Sequence, residues 1–269
     1  MRKIFTLAAL LLGTSLFTVP SPVQAGEPVP LTQVHAHNDY NHARPLLDAL
    51  DNGFCSVEAD VFVVDGRLLV AHNRSDTTAD RTLQSLYLDP LRERVKTNGG
   101  RVFAGGPEFI LLIDFKDDWK STYPVLKKVL DGYSDMLVTF EGDRKTTNAV
   151  RVIVTGNRSP QMLAGEQVRC VSLDGELSNL NPADPAALYP WISGNWKDSF
   201  TWRGKGAMPP AEQAKLKDIV ARAHAQGKRV RFWNAPDNVV FWKEIRADGV
   251  DLINTDHLPE ARQFLLKQP

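Results

Sequence analysis

The chain has 269 residues, enough for one large α/β domain. Its 32 lysines and arginines balance its 32 aspartates and glutamates, so the formal charge is zero. With no cationic footprint, nucleic acid is excluded as the default partner. The two cysteines, Cys55 and Cys170, each lie inside an apolar run and read as free thiols rather than a bridge.

Residues 1–25 have the form of a secretory signal peptide. A basic start, Met1-Arg2-Lys3, is followed by an apolar run from Ile4 to Phe17, and Val23-Gln24-Ala25 offers a small-x-small cleavage site. The run is shorter than the ~20 residues that span a bilayer. The expectation is therefore an exported protein, periplasmic or secreted, whose mature domain covers residues 26–269.

Thr32-Gln33-Val34 opens a first strand that ends in His35-Ala36-His37. A polar loop leads to Pro45, which opens a helix closed by Asn52-Gly53. The next strand, from Cys55, carries Glu58 and Asp60. Asp65-Gly66 then turns a hairpin whose return run, Arg67 to Ala71, brings His72 back toward the acids. Phe109 to Phe115 (FILLIDF) is a nearly continuous apolar run with Asp114 near its end, the mark of a parallel strand covered on both faces. Further strands start at Val150, Cys170, Trp191, Arg229 and Val250, most followed by helical segments, and residues 136–143 form a small decoration.

That gives eight strands, and polar residues gather at their C-terminal ends: His37, Asp60, Asp114, Asn157, Asp174, Asn195, Asn234 and Asp256. Active sites of (β/α)8 barrels form at that face. No glycine-rich turn follows the first strand, which disfavours a dinucleotide-binding sheet. The expected fold is a single (β/α)8 TIM barrel with a small hairpin decoration.

Glu58 and Asp60, two apart on a strand, point to the same side. With Asp114 from the next long strand they make three carboxylates, which suit one hard divalent cation, Mg2+ or Ca2+, better than zinc. His37 and His72 bracket this cluster. Imidazole near neutrality serves either as base or as acid, and a phosphodiester needs one of each. Which histidine takes which role stays open.

The runs AHND, VEADVFVVDGRLLVAHN, LLIDFK, FWNAPD and GVDLINTD together resemble the superfamily of glycerophosphodiester phosphodiesterases and phosphatidylinositol-specific phospholipases C, in its bacterial branch with an HxHNDY start. The resemblance implies a TIM barrel with one divalent cation, hydrolysing a small-molecule or lipid phosphodiester. Transferred by position, it makes His37 and His72 catalytic and Glu58, Asp60 and Asp114 metal ligands. Lys116 would contact the phosphate and Trp233 would line the pocket. Asn38 stands where relatives with His-Arg-Gly have an arginine, and Arg158 is the replacement available from another strand. His35 is read as structural. Docking on a membrane surface and the oligomeric state stay open.

Two rival readings use the same residues. His35-Ala36-His37 is also the His-x-His of amidohydrolase-like zinc barrels, but His42, His224 and His257 do not end the strands such a site requires. A catalytically degenerate barrel binding a phospholipid headgroup or glycan is the other. The presence of both histidines and all three acids argues against it.

Overall fold

The computed structural model describes residues 26–267. The expected signal peptide, residues 1–25, lies outside them. Eight parallel strands form the frame: β1 (Val34–Ala36), β2 (Ser56–Val64), β3 (Phe109–Phe115), β4 (Val150–Gly156), β5 (Val171–Leu173), β6 (Trp191–Asn195), β7 (Arg229–Trp233) and β8 (Ile253–Thr255). One continuous sheet runs β8-β1-β2-β3-β4-β5, and β6 pairs with β7. Single parallel bridges, Gly175 to Ile192 and Arg231 to Leu252, connect these two sheets at both edges, so the pairing forms a ring. This is the expected barrel, and among the described residues the ring of eight strands has no free edge.

Alternation along each strand decides what fills the ring. On β2, Val57, Ala59 and Val61 are completely buried against the surrounding layer, and Ser56, Glu58 and Asp60 alternate with them. Leu112, Ile153, Trp191 and Leu252 form a small apolar cluster separate from the main core, a plug across the middle of the barrel. Filling the interior with side chains from alternate positions is the normal solution for eight strands. The polar residues are thereby sorted to the two mouths.

The outer layer contains α1 (Leu47–Asp51), α2 (Asp89–Thr97), α3 (Trp119–Asp131), α4 (Trp196–Ser199), α5 (Pro210–Ala225), α6 (Val239–Ala247) and α7 (Leu258–Leu266). Side-chain caps start three of them: Asp118 accepts from the Lys120 N–H at 2.8 Å, Asn195 from the Lys197 N–H at 3.1 Å, and Asn238 from the Phe241 N–H at 3.1 Å. No full helix joins β4 to β5 or β5 to β6; short 3-10 turns at Pro160–Leu163 and Leu177–Asn179 lie there. The ribbon Arg67–Val70 pairs antiparallel with β2, as the Asp65-Gly66 turn requires. The decoration is a three-stranded antiparallel sheet of Thr139–Glu141, Arg144–Thr146 and Val168–Arg169, one strand more than a hairpin.

Both cysteines are free, Cys55 buried and Cys170 half-buried. Trp191, Trp196, Trp202 and Trp242 are buried packing residues, whereas Trp233 is 42 % exposed. Among the described residues, no helix is long and apolar enough to cross a membrane.

Candidate active site

A cavity of about 680 Å³ opens at the C-terminal ends of the strands. Its wall includes every residue expected at the site: His37, Asn38, Glu58, Asp60, His72, Asp114, Lys116, Arg158 and Trp233. Residues up to 196 positions apart in sequence meet here because each lies at or just past the end of a parallel strand.

Glu58, Asp60 and Asp114 each present an oxygen within 4.8 Å of the others, and among the described residues they are the one such group able to hold a metal. Pairing of β2 with β3 sets Asp60 directly beside Asp114. Burial raises the Glu58 carboxyl above its ordinary range. Burial, then the charge of Asp114, does the same to Asp60. The Lys116 ammonium lies 2.7 Å from Asp114 and 2.9 Å from Asp60. It neutralises one of the three charges and leaves an excess of two. Asp114 Oδ1 is buried with no hydrogen-bond partner. An orphaned hard oxygen beside uncompensated carboxylates fits a divalent cation with oxygen ligands.

His37 follows β1, and its Nδ1 lies 2.8 Å from Asp256 just after β8. Register brings them together, since β1 and β8 pair in parallel with Ala36 opposite Thr255. Burial acts against the charged ring. The hydrogen bond to Asp256 and the charge of Glu58 outweigh it, and the His37 pKa is raised. Because Nδ1–H points to Asp256, Nε2 is directed to the Glu58 side, 3.8 Å from its Oε2. Asn38 sits in the left-handed region at φ 49, which aims its N–H at Glu58 Oε2 at 3.3 Å.

Tyr40 joins the two halves of the site. Its hydroxyl proton is shared between Asp60 Oδ2 at 2.6 Å and Asn38 Oδ1 at 2.7 Å, and His72 Nδ1 lies 3.0 Å away. Donation from His72 Nδ1–H to the tyrosine oxygen orients the ring and keeps Nε2 free to carry or release a proton.

Lys116 is spent on the carboxylates, so its reach to a phosphate is shared with their neutralisation. Arg158 donates to the backbone oxygens of Asp174 and Gly156 and lies 3.5 Å from Glu176. Its fork braces the β4 and β5 ends and is only partly turned to the cavity. His35 is structural, as expected, but it faces the barrel interior. It is fully buried, 2.7 Å from Ser56 Oγ and edge-on to Trp191, and burial keeps it neutral by lowering its pKa.

Three contributors went unassigned in the sequence reading: Asp256, Tyr40 and Arg231. Arg231 is 3 % exposed and lines the cavity floor, donating to Ser193 Oγ at 3.0 Å, Asn254 Oδ1 at 2.9 Å and Asp174 Oδ2 at 3.3 Å. Alternation could have found it, because in Arg229-Val230-Arg231-Phe232-Trp233 it shares a side with Trp233.

The remaining histidines form no zinc site of the His-x-His kind. His224 pairs with Asp251 at 2.8 Å, and His257 lies 3.8 Å from Asp237.

An AIM6-like phosphodiesterase domain matches residues 25–174. A protein of Arthroderma benhamiae named "Altered inheritance of mitochondria protein 6 homolog" is 28 % identical over 284 residues, covering 93 % of this chain and 88 % of its own. "Altered inheritance of mitochondria protein 6" of Eremothecium gossypii is 32 % identical, covering 87 % and 69 % respectively. Among solved structures, a glycerophosphodiester phosphodiesterase from Agrobacterium tumefaciens aligns with TM-score 0.53 at 18 % identity, over 88 % of this chain and all of that one. An Oleispira antarctica phosphodiesterase in complex with the product sn-glycerol-3-phosphate aligns at TM-score 0.50 and 14 % identity, over 88 % of this chain and 97 % of that one. These two likenesses concern the fold.

The expected periplasmic or secreted location is corrected by these relatives. They are proteins of fungal cells named for mitochondrial inheritance, with which a bacterial export destination does not fit. A basic start before a short apolar run is a compositional signal, and composition alone does not fix an address.

Proposed function

Because the chain belongs to the AIM6-like phosphodiesterase family, we propose that it hydrolyses a small-molecule or lipid phosphodiester at this upper mouth, as one barrel domain over residues 26–269. The observation that carries the reading is the convergence of two oriented imidazoles, three carboxylates and an ammonium on one cavity. His37, held by Asp256, takes the proton of the attacking hydroxyl at Nε2. His72, held by Tyr40, enters the cycle protonated at Nε2 and gives that proton to the departing alcohol. The attacker is water or a neighbouring hydroxyl of the substrate. In the second case the product is a cyclic phosphate, which the same pair can open.

Glu58, Asp60 and Asp114 would hold one divalent cation, Mg2+ or Ca2+. Bound there, it would offset charge growing on the non-bridging phosphoryl oxygens. Lys116, which lines the same cavity beside Asp60 and Asp114, would contact the phosphate. The outer cavity adds Ser178, Asn195 and Ser199 beside Trp233, a polar wall with one aromatic face that suits a small hydroxylated alcohol. The glycerol phosphate product held by the Oleispira antarctica phosphodiesterase supports a substrate of this kind.

The test is hydrolysis of glycerophosphodiesters, phosphatidylinositol and bis(p-nitrophenyl) phosphate with Mg2+, Ca2+ or Mn2+. His37→Ala and His72→Ala should each lower kcat by about 10²–10⁴-fold, the usual worth of a general acid or base. Asp256→Asn should lower kcat with little change in KM, since the ring it orients does not bind the ground state more tightly. No turnover of any phosphodiester with any of these cations would sink the proposal.

A further inference from the structure

The barrel has a second cavity, of about 480 Å³, at the opposite mouth, where the strands begin. Its charged lining is Arg151, Arg229, Lys145 and Glu108, and Lys145 pairs with Glu108. The two arginines are the second residue of β4 and the first of β7. Among the described residues, neither has a carboxylate within ion-pair distance, although both are half-buried.

Their hydrogen bonds go to neutral oxygens and leave donors over. Arg151 uses Nε and Nη2 on Ser172 Oγ and on the carbonyls of Ala186 and Ala187. Arg229 uses Nη2 on the Thr32 carbonyl. Nη1 of Arg151, with Nε and Nη1 of Arg229, makes no such bond among the described residues. Burial lowers both guanidiniums, Arg151 to about 10, and the more distant charges of Glu108, for Arg151, and Asp251, for Arg229, offset it only in part.

Trp191 lines the same cavity and is 1 % exposed, closing it toward the plug. Its indole N–H is buried with no hydrogen-bond partner. The lining thus offers two positive forks, and its one acid is already paired.

We propose that this lower cavity is a binding site for a small oxyanion, gripped by the free guanidinium N–H groups of Arg151 and Arg229. Planar forks of this kind match the oxygens of phosphate. The site is separated from the upper mouth by the plug of Leu112, Ile153, Trp191 and Leu252, and it stands whether or not the upper site hydrolyses phosphodiesters. Two sources carry the chemistry, free phosphate and the phosphate end of a monoester.

Calorimetric titration of the chelator-treated protein with inorganic phosphate and, separately, methyl phosphate tests it. Binding should persist in Lys116→Met and weaken at least tenfold in Arg229→Met and Arg151→Met, with Arg229→Lys falling between. The tighter of the two probes identifies the source. Should either methionine variant fail to fold, a selenate soak of wild-type crystals should give an anomalous peak between the two guanidiniums. Phosphate binding unchanged in Arg229→Met, or a selenate-soaked crystal with this cavity empty, would overturn the assignment.

Discussion

Asp39 lies at the start of the loop that delivers Asn38 and Tyr40, and no part of it reaches solvent. Its Oδ2 accepts from the Leu46 N–H at 2.6 Å and from the Tyr87 hydroxyl at 2.9 Å. Leu46 is itself strained, at φ 64 and ψ −50, the centre of a γ-turn closed by the Leu47 N–H on the Pro45 carbonyl at 2.7 Å. Complete burial of the Leu46 side chain and the Asp39 bond hold that turn in place. Burial raises the Asp39 pKa to about 7. The folded state therefore keeps a proton that the unfolded chain releases near pH 4, and stability falls as pH rises from about 4 to 7. Asp39→Asn keeps an acceptor for both donors without the charge. Urea unfolding at pH 4.5 and 7.5 should show a smaller loss in the variant than in wild type, by an amount on the order of a kcal/mol or more. Equal losses in the two proteins would contradict this account of Asp39.

At the scale of elements, the ends of β3 and β4 are tied by a glycine. Gly156 has φ +72, and a Cβ there would come within 2.0 Å of Asp114 Oδ1 and 2.5 Å of the Phe115 carbonyl. The third carboxylate thus owes its position to a missing side chain on the neighbouring strand. Gly156→Ala should cost about 1–2 kcal/mol from the left-handed backbone alone. It should also displace Asp114, so activity should drop by more than the fall in Tm explains. Wild-type activity in a folded Gly156→Ala protein would show that the Asp114 position is immaterial. The strands were legible as dense apolar runs ending in polar residues, and β2 most clearly, with acids at a two-residue spacing in Ser56-Val57-Glu58-Ala59-Asp60. The third strand of the decoration, Val168–Arg169, was not, because two residues carry no periodicity and pair only through contacts far along the chain.

Taken as a whole, the molecule concentrates negative charge at one mouth of a neutral protein and positive charge at the other. Three carboxylates with one ammonium above the plug should make stability responsive to divalent cations, since a ligand that binds only the folded state stabilises it by mass action. Adding Mg2+ or Ca2+ to chelator-treated protein should raise Tm by several degrees, and Asp114→Asn should remove most of that rise. An unchanged Tm across millimolar concentrations of both ions would remove the cation from the reading.

The sequence alone determined the barrel, the two histidines and the three acids. Side-chain alternation and strand-end position are local properties, set by the backbone period of two and by what a covered strand can bury. Partnerships across the ring were decided by tertiary structure. Asp256 looked like one more polar strand end until β8 paired with β1 and set it against His37. Tyr40 looked like a loop residue until the chain folded it between Asp60 and His72. Lys116 turned out to serve the carboxylates as well as any phosphate. Arg151 and Arg229 became a pair only when closure brought the starts of β4 and β7 to one mouth. Hydrogen bonds and charge pairing act over a few ångströms in space, and only the closed ring brings residues this far apart in sequence to that distance.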